Sequence, residues 1–335
     1  MTRNILCFGE VLLRLSAPGK QLLLQGGSLE ARVGGAEANV AVALSRFGHG
    51  ALMASTLPDN PLGHGCRDEL RRHGVDTRAI GFGPGRMGMY FLTHGAGARA
   101  AEVLYDRADS AFALASPERD WPPLLAGVQW LHVSGITPAV SANAAQAALA
   151  AMSAARALGV KVSFDCNFRP RLWAGRAHEA PAVLRRLCEQ VDLIFGDDRD
   201  IALILGFSSE AAPDERRRLA ALAAFEAFPR LQWLAGTERA VHGADVQQLA
   251  GTLSSRAQTW RSRTHTLTGI VDRIGAGDAF AAGVLHGLIT AMPPQSIVEF
   301  AAAAASLKHT IPGDFLLASV ADVNQLLEAS TDVRR

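Results

Sequence analysis

Short apolar runs alternate with amphipathic helical stretches over most of the chain. Residues 5–8 predict a first strand, and residues 36–47 predict a helix that begins after two glycines. The alternation continues through strand candidates at 51–56, 130–133, 161–164, 193–195 and 231–234, and helix candidates at 63–73, 141–158 and 181–190. Strands that alternate with helices of about 10–15 residues form a parallel sheet with helices on both faces. We therefore expect a single α/β domain over residues 1–335, a three-layer α/β/α sandwich around a mostly parallel central sheet.

Two stretches, residues 11–33 and 87–113, break this alternation. Both are strand-like, are interrupted by glycine and have no helix of their own. We expect them to pair as a small antiparallel β-sheet lid over the ligand end of the main sheet, where a lid excludes water. The alternative is a pair of ordinary surface hairpins.

Composition excludes several classes of protein. The chain has 335 residues, 49% hydrophobic and 19% charged, with a formal net charge of +1. No basic block is available to neutralise phosphates, so we expect no nucleic-acid partner. Polar side chains interrupt the alanine-rich stretch 139–160, which predicts a partly buried helix and no membrane span. Four widely spaced cysteines without a CxxC pair, and no signal-peptide pattern in residues 1–10, predict a cytoplasmic protein.

The run Gly275-Ala276-Gly277-Asp278 stands directly before an apolar helical stretch. Backbone N–H groups at such a helix start point toward an anion, and the helix dipole adds to the attraction. A carboxylate placed beside a bound phosphoryl group is suited to act as a base that activates an attacking hydroxyl. The alternative is a glycine-rich helix start in which Asp278 serves only as an N-terminal cap.

A second glycine pair, Gly34-Gly35, is followed one helical turn later by Asn39. Glycines let a polyol approach the backbone, and an amide both donates to and accepts from its hydroxyls. The alternative is a plain glycine turn with a surface asparagine.

Two common nucleotide-binding motifs are not present in the sequence. A Walker A loop is absent, and the GxGxxG run at 83–88 precedes a strand instead of a helix, so it is no dinucleotide fingerprint.

The segments GGAEANVAVALSRFG (34–48) and DRIGAGDAFAAG (272–283) resemble the two signatures of ribokinase-like (phosphofructokinase-B-type) carbohydrate kinases. The resemblance covers about residues 4 to 328. Segments 103–111, 165–173 and 307–315 resemble the members of that family that act on 2-keto-3-deoxygluconate. The resemblance implies transfer of the γ-phosphoryl group of ATP to the 6-hydroxyl of that sugar acid, with Asp278 as base and the N–H groups of residues 275–277 as an anion hole. It also implies a homodimer formed through the lids.

The resemblance places Arg107 and Arg169 at the substrate. A sugar acid carries a carboxylate, and the guanidinium fork binds a carboxylate better than an ammonium group does. The chain has two tyrosines, Tyr90 and Tyr105, and both lie in the lid segment, where a phenol can bind the sugar and its ring can cover it.

On the nucleotide side, the resemblance implies an Asn-x-x-Glu motif that helps to order Mg²⁺, but the matching residues here are Asp197 and Asp200. Carboxylates still suit a hydrated Mg²⁺ ion. The resemblance further implies contacts of ATP with Gly275 and Gly277 and a monovalent cation such as K⁺ near Asp272. Further ATP contacts are expected at Thr237, Arg239, Ala304 and Lys308, although a solvated loop and a surface lysine are alternatives.

Two other functions stay open from the sequence. One is a kinase of a neutral sugar such as fructose, and the other is a catalytically silent sugar-binding protein of the same fold. The intact Gly275–Asp278 run disfavours the silent protein, since such a protein has no physical need for both the cradle and the carboxylate.

Overall fold

The apolar runs of the sequence become adjacent strands of one large sheet. A computed structural model describes residues 3–328. The strands are β1 (Arg3–Phe8), β2 (Leu12–Ser16), β3 (Glu30–Gly34), β4 (Gly50–Pro58), β5 (Asp76–Gly83), β6 (Met89–Thr93), β7 (Glu102–Asp106), β8 (Trp130–Ser134), β9 (Lys161–Asp165), β10 (Leu193–Phe195), β11 (Trp233–Val241), β12 (Val246–Ser254), β13 (Thr259–Arg261) and β14 (His265–Thr268).

Helices follow most of the strands of that sheet. They are α1 (Ala36–Arg46), α2 (Pro61–Arg72), α3 (Ala111–Leu114), α4 (Trp121–Leu125), α5 (Ile136–Val140), α6 (Ala142–Ala157), α7 (Ala180–Cys188), α8 (Asp198–Leu205), α9 (Pro213–Ala227), α10 (Ala276–Ile289), α11 (Pro294–Lys308) and α12 (Val320–Leu327). Among the described residues, no helix combines the length and the apolar character needed to cross a bilayer.

The main sheet has the order β13-β12-β11-β10-β9-β8-β1-β4-β5, with β14 paired to β12. From β5 to β11 all neighbours are parallel, and β12 is antiparallel to its partners. One face packs against α1, α2, α10 and α11, and the other packs against α6 to α9. Because both faces are covered, β8 is buried along its whole length. The predicted three-layer sandwich is confirmed.

Most element bounds match the sequence prediction within two residues, but the strand predicted at 231–234 does not. It begins at Trp233 and continues to Val241. The continuation is exposed over its last three residues, and it is held in the sheet by the antiparallel ladder to β12. Apolar periodicity could not reveal it, because a ladder supplies backbone hydrogen bonds without requiring apolar side chains.

The two glycine-interrupted stretches form one separate four-stranded sheet with the order β3-β2-β6-β7. Each stretch folds as an antiparallel hairpin, but the two hairpins meet through a parallel pairing of β2 with β6, so the sheet is mixed and not wholly antiparallel as expected. We call this sheet the lid. Leu12, Tyr90 and Leu92 form its buried cluster, against which Ile274 packs from the loop before α10.

Candidate active site

The start of α10 requires glycine for steric reasons. Gly275 has φ of +80°, and a Cβ atom there would lie 2.0 Å from the carbonyl oxygen of Asp314. The first N–H groups of a helix have no partner inside the helix. Among the described residues, no hydrogen bond is found from the N–H groups of Gly275, Ala276 and Gly277. They are therefore free to bind an anion.

Asp278 lies in the first turn of α10 and is buried, with 9% of its surface exposed. Its Oδ2 accepts a hydrogen bond from Nδ2 of Asn39 at 2.6 Å. Burial raises the pKa of its carboxyl to about 7; the Asn39 bond and the charge of Arg169 oppose the rise, and the charges of Asp314 and Glu37 add to it. A carboxyl with this pKa is suited to accept a proton near neutral pH.

The first glycine pair brings α1 against the same site. A Cβ at Gly34 would lie 2.2 Å from Oδ2 of Asp314, and one at Gly35, where φ is +133°, would lie 2.2 Å from the carbonyl oxygen of Glu10. Glycine is thus the residue that fits at both positions. This close approach places Asn39 on the first turn of α1 within reach of α10.

Arg107 leaves the lid at the end of β7 and is buried. Its Nε donates to Oε2 of Glu10 at 2.5 Å. Glu10, which follows β1 in the sequence, is itself buried. Among the described residues, no hydrogen bond is found for the two terminal amino groups of Arg107. Glu10 therefore orients the guanidinium group and leaves its outer edge available to a ligand.

Arg169 lies after β9 and is exposed. Burial raises the pKa of Asp165, Asp200 and Asp278, and the positive charge of Arg169 opposes the rise at each of them, which places Arg169 near all three carboxylates. Its described hydrogen bond goes only to the carbonyl oxygen of Phe168. Arg169 and Asp278 thus belong to one site, whereas Arg107 is held at the end of the lid strand by Glu10.

The aspartates at the end of β9 and after β10 form an acidic group. Burial raises the pKa of Asp165, and the negative charges of Asp278 and Asp200 raise it further. Burial likewise raises the pKa of Asp200 to about 6. Asp197 is exposed and uses its Oδ1 to cap α8, accepting from the N–H groups of Arg199 and Asp200 at 2.8 and 3.0 Å. Asp197 therefore has a local structural role besides the one predicted for it.

Asp197 and Thr237 line one groove of about 1040 Å³ between α9 and β11–β13. Arg239, two residues further along β11, lies close enough to Arg273 for the two guanidinium groups to repel each other. Within residues 3–328, neither arginine takes part in an ion pair. Arg273 also lines a cavity of about 790 Å³ between the lid and the β11–β12 turn. A cation without an ion pair at a cavity, with a second one close by, is suited to bind a polyanion.

The two residues predicted on α11 do not reach these cavities through their side chains. Ala304 is fully buried in the core between the sheet and its helices. Lys308 is fully buried as well, and its Nζ donates to the carbonyl oxygen of Ile311 at 2.8 Å. Burial lowers the pKa of Lys308 to about 8, against the attraction of Asp272 and Asp314. Their contacts with ATP stay a prediction.

The two tyrosines face each other across the β6–β7 ladder. Tyr90 is buried, and its hydroxyl donates to Oδ2 of Asp314 at 2.7 Å, while Tyr105 is half-buried beside the cluster that contains Tyr90. Tyr90 therefore contacts the carboxylate of Asp314, which also packs against Gly34.

Asp272 lies in a buried charge cluster. Its Oδ2 is 2.8 Å from Nη2 of Arg14 and accepts from the N–H group of Gly313 at 2.9 Å, and its Oδ1 accepts from Ile274 at 3.0 Å. Burial acts to raise the pKa of Asp272, but the positive charges of Arg14 and Lys308 outweigh it and keep that pKa below its usual value. No group of three metal-ligating side chains was found among residues 3–328.

Sequence reasoning did not single out several residues that the fold brings to this site. They are Glu10, Arg14, Asp165, Arg273 and Asp314. Asp165, Arg273 and Asp314 lie inside the segments that carry the family resemblance, which is the signal that could have found them. Glu10 and Arg14 lie outside those segments.

Comparison with known proteins identifies the family of this fold. The sequence profile of the pfkB family carbohydrate kinases matches residues 2–315. The chain therefore belongs to the pfkB family of carbohydrate kinases, and the resemblance stated from its sequence is confirmed.

Individual relatives extend over nearly the whole chain. The 2-dehydro-3-deoxygalactonokinase of Haloferax volcanii is 34% identical over 331 residues, which cover 98% of this chain and 97% of the relative. The 2-dehydro-3-deoxygluconokinase of Thermoproteus tenax is 28% identical, with 97% and 94% covered. The crystal structure of 2-dehydro-3-deoxygluconokinase from Thermotoga maritima superposes with a TM-score of 0.93 at 37% identity, covering 98% of this chain and 99% of that one. The ribokinase-like fold is thereby confirmed.

Proposed function

We propose that this sugar kinase transfers the γ-phosphoryl group of ATP to the 6-hydroxyl of 2-keto-3-deoxygluconate and yields 2-keto-3-deoxy-6-phosphogluconate. The observation that carries the proposal is a buried base together with an arginine whose terminal amino groups have no partner among the described residues. Asp278, with a pKa of about 7, lies at the start of α10, and Arg107 presents its terminal amino groups from the lid. A neutral sugar gives such an arginine no carboxylate to bind.

The reaction needs one proton acceptor and one anion site. The carboxylate of Asp278 takes the proton of the 6-hydroxyl while that oxygen forms a bond to the γ-phosphorus and the bond from phosphorus to the β–γ bridging oxygen breaks, releasing ADP. The N–H groups of Gly275, Ala276 and Gly277 stabilise the negative charge on the transferred phosphoryl oxygens. Asn39 holds the Asp278 carboxylate at 2.6 Å and so fixes its orientation.

Substrate positioning follows from the lid and the loop after β9. Arg107, oriented by Glu10, and Arg169 bind the carboxylate of the sugar acid. Gly34 and Gly35 let α1 pack closely against Asp314 and Glu10, which brings Asn39 to the site where the sugar would bind. Tyr90 and Tyr105 lie on the lid strands that cover it. Exclusion of water beneath the lid favours transfer to the sugar over hydrolysis.

Kinases of this family use ATP and Mg²⁺, and the acidic group fits such a cation. Burial raises the pKa of Asp165, and the negative charges of Asp278 and Asp200 raise it further; a cation nearby would relieve this repulsion. Asp165 and Asp200 would hold hydrated Mg²⁺, which neutralises charge on the ATP phosphates. Arg239 and Arg273 bind the triphosphate, and Thr237 contributes a hydroxyl from the neighbouring groove.

The relatives' names differ in the sugar acid, so the acceptor is the point to test. The experiment is an ATP-consumption assay, coupled to ADP release, with 2-keto-3-deoxygluconate, 2-keto-3-deoxygalactonate and fructose as acceptors. We expect the highest kcat/KM with the gluconate-derived acid and a kcat/KM with fructose about 10- to 150-fold lower, since one charge-assisted contact contributes about 1.5–3 kcal/mol. Equal rates with fructose would support the neutral-sugar kinase. No ATP consumption with any of them would support a silent sugar-binding protein.

We also propose that two copies associate through their lids. Three large apolar side chains, Leu22, Leu24 and Leu104, are exposed on this small sheet and its loop, with 48%, 85% and 59% of their surfaces accessible. Leu104 lies on β7, which is an edge strand of the lid. An exposed apolar edge of this kind is suited to bind a second copy of itself.

A further inference from the structure

One arginine of the lid lies fully inside the protein. Arg14, on β2, has 1% of its surface exposed. Its Nη2 is 2.8 Å from Oδ2 of Asp272, and its Nη1 is 3.1 Å from Oδ1 of Asp314. A buried guanidinium is tolerated only when carboxylates compensate its charge, and here two carboxylates on separate loops do so.

The two carboxylates hold the loops that build the anion hole. Asp272 accepts from the N–H groups of Ile274 and Gly313, and thus ties the residues before α10 to the loop after α11. The carbonyl oxygen of Asp314 packs directly beneath Gly275. Arg14 contacts both carboxylates, so it fixes the distance between the two loops.

A monovalent cation, which the family resemblance implies near Asp272, does not fit these residues. Such an ion requires oxygen ligands, but both oxygens of Asp272 already face N–H donors or the guanidinium group. Two buried cations, Arg14 and Lys308, face the two buried carboxylates of Asp272 and Asp314. A further positive charge would be placed beside two others in a medium that screens poorly.

We propose that Arg14 is a positioning residue that replaces a monovalent cation, so that phosphoryl transfer by this chain is independent of K⁺. The inference rests on the proposed phosphoryl transfer, but not on which sugar is the acceptor. Arg14 is also the register partner of Tyr90 in the β2–β6 pairing. The charge that organises the anion hole is therefore supplied by the lid itself.

The first test uses the unaltered protein. The value of kcat, with the best acceptor found, is measured in KCl and in tetramethylammonium chloride at equal ionic strength, together with the melting temperature in both salts. We expect kcat to agree within about twofold and the melting temperature to be the same, because an ion that binds the native state raises it. Larger activation or stabilisation by K⁺ overturns the proposal. The comparison of the three acceptors tests the proposed function separately, because the K⁺ dependence of kcat can be measured with any acceptor that is phosphorylated.

The second test removes the guanidinium group. We expect Arg14→Ala to lower kcat by about 10- to 100-fold, which is the usual size of a coupling between two sites. Guanidinium ion added at millimolar concentration should restore part of the lost activity. Arg14→Lys keeps a charge and should retain more activity than Arg14→Ala. Arg78→Ala, which removes an exposed arginine paired with Asp76, is the matched control and should leave kcat unchanged. Normal turnover of a folded Arg14→Ala protein without guanidinium contradicts the proposal; if that variant does not fold, Arg14→Lys and the salt comparison decide.

Discussion

Replacing the carboxylate of Asp278 tests the proposed chemistry most directly. Asp278→Asn keeps the volume of the side chain, and an amide oxygen can still accept the hydrogen bond that Asn39 donates at 2.6 Å. The variant loses only the ability to take a proton. Removal of a general base lowers kcat by about 10²–10⁴-fold. We expect a loss of that size with little change in the KM of either substrate.

The same substitution should not destabilise the fold. Burial raises the pKa of Asp278 from 3.8 to about 7, which corresponds to roughly 4 kcal/mol of unfavourable free energy when the buried group is charged. Because the folded carboxyl keeps its proton to a higher pH than the unfolded one, its ionisation lowers stability as the pH rises from about 4 to about 7. The neutral amide avoids this cost. Above neutral pH, Asp278→Asn should therefore melt at the same or a higher temperature than the parent protein.

The assay combines turnover with a pH profile. In the parent protein, kcat/KM for the sugar should rise with pH and level off above about 7, where the free base is ionised. The profile is measured by coupled ADP release between pH 5 and 9, with the coupling enzymes in excess at each pH. Turnover of Asp278→Asn close to that of the parent, or a parent kcat/KM that stays constant from about pH 5 to 9, would refute the assignment of Asp278 as base.

The remaining predictions concern binding and assembly. Arg107→Ala should raise the KM for the sugar acid by about 10- to 150-fold, because it removes one charge-assisted contact, and the KM for ATP should stay constant. An unchanged KM for the sugar acid would show that Arg107 does not belong to the site. Arg273→Ala should raise the KM for ATP by about 10-fold or more without affecting sugar binding, and an equal effect on both substrates would contradict its triphosphate role. Leu104→Glu should shift the sedimentation coefficient from that of a dimer to that of a monomer. A parent protein that sediments as a monomer disproves the lid contact.

Much of the fold could be predicted because its determinants are local. Strand–helix alternation follows from apolar periodicity, and the start of α10 follows from glycines that precede an apolar run. The family segments also placed Asp278 and Asn39 in one site, and they are hydrogen bonded in the structure. The parallel pairing inside the lid could not be foreseen, since it joins β2 and β6 across more than seventy residues of sequence.

Arg14 illustrates why charged residues of the site escape prediction from sequence. In the β2 sequence Leu-Leu-Arg-Leu-Ser, alternation suggests that Leu13 and Leu15 face inward and that Arg14 faces solvent. The structure has the opposite arrangement, with Arg14 and Ser16 buried and the two leucines half-buried. The reason is tertiary: the inner face of this strand meets Asp272 and Asp314, which come from the far end of the chain. No local pattern carries that information.

The lid is held unequally at its two ends, which bears on how substrates enter. At its tip, the side chains of the Lys20–Asp245 ion pair are 55% and 39% exposed, and exposed pairs of this kind contribute about 0–1 kcal/mol. At its root, Arg14 joins two buried carboxylates, and breaking such a pair is far more costly. Opening for ATP and sugar should therefore take place at the tip. We expect Arg14 and Tyr90 to keep their contacts with Asp272 and Asp314 when the lid opens, so that the phosphoryl-binding N–H groups stay in place.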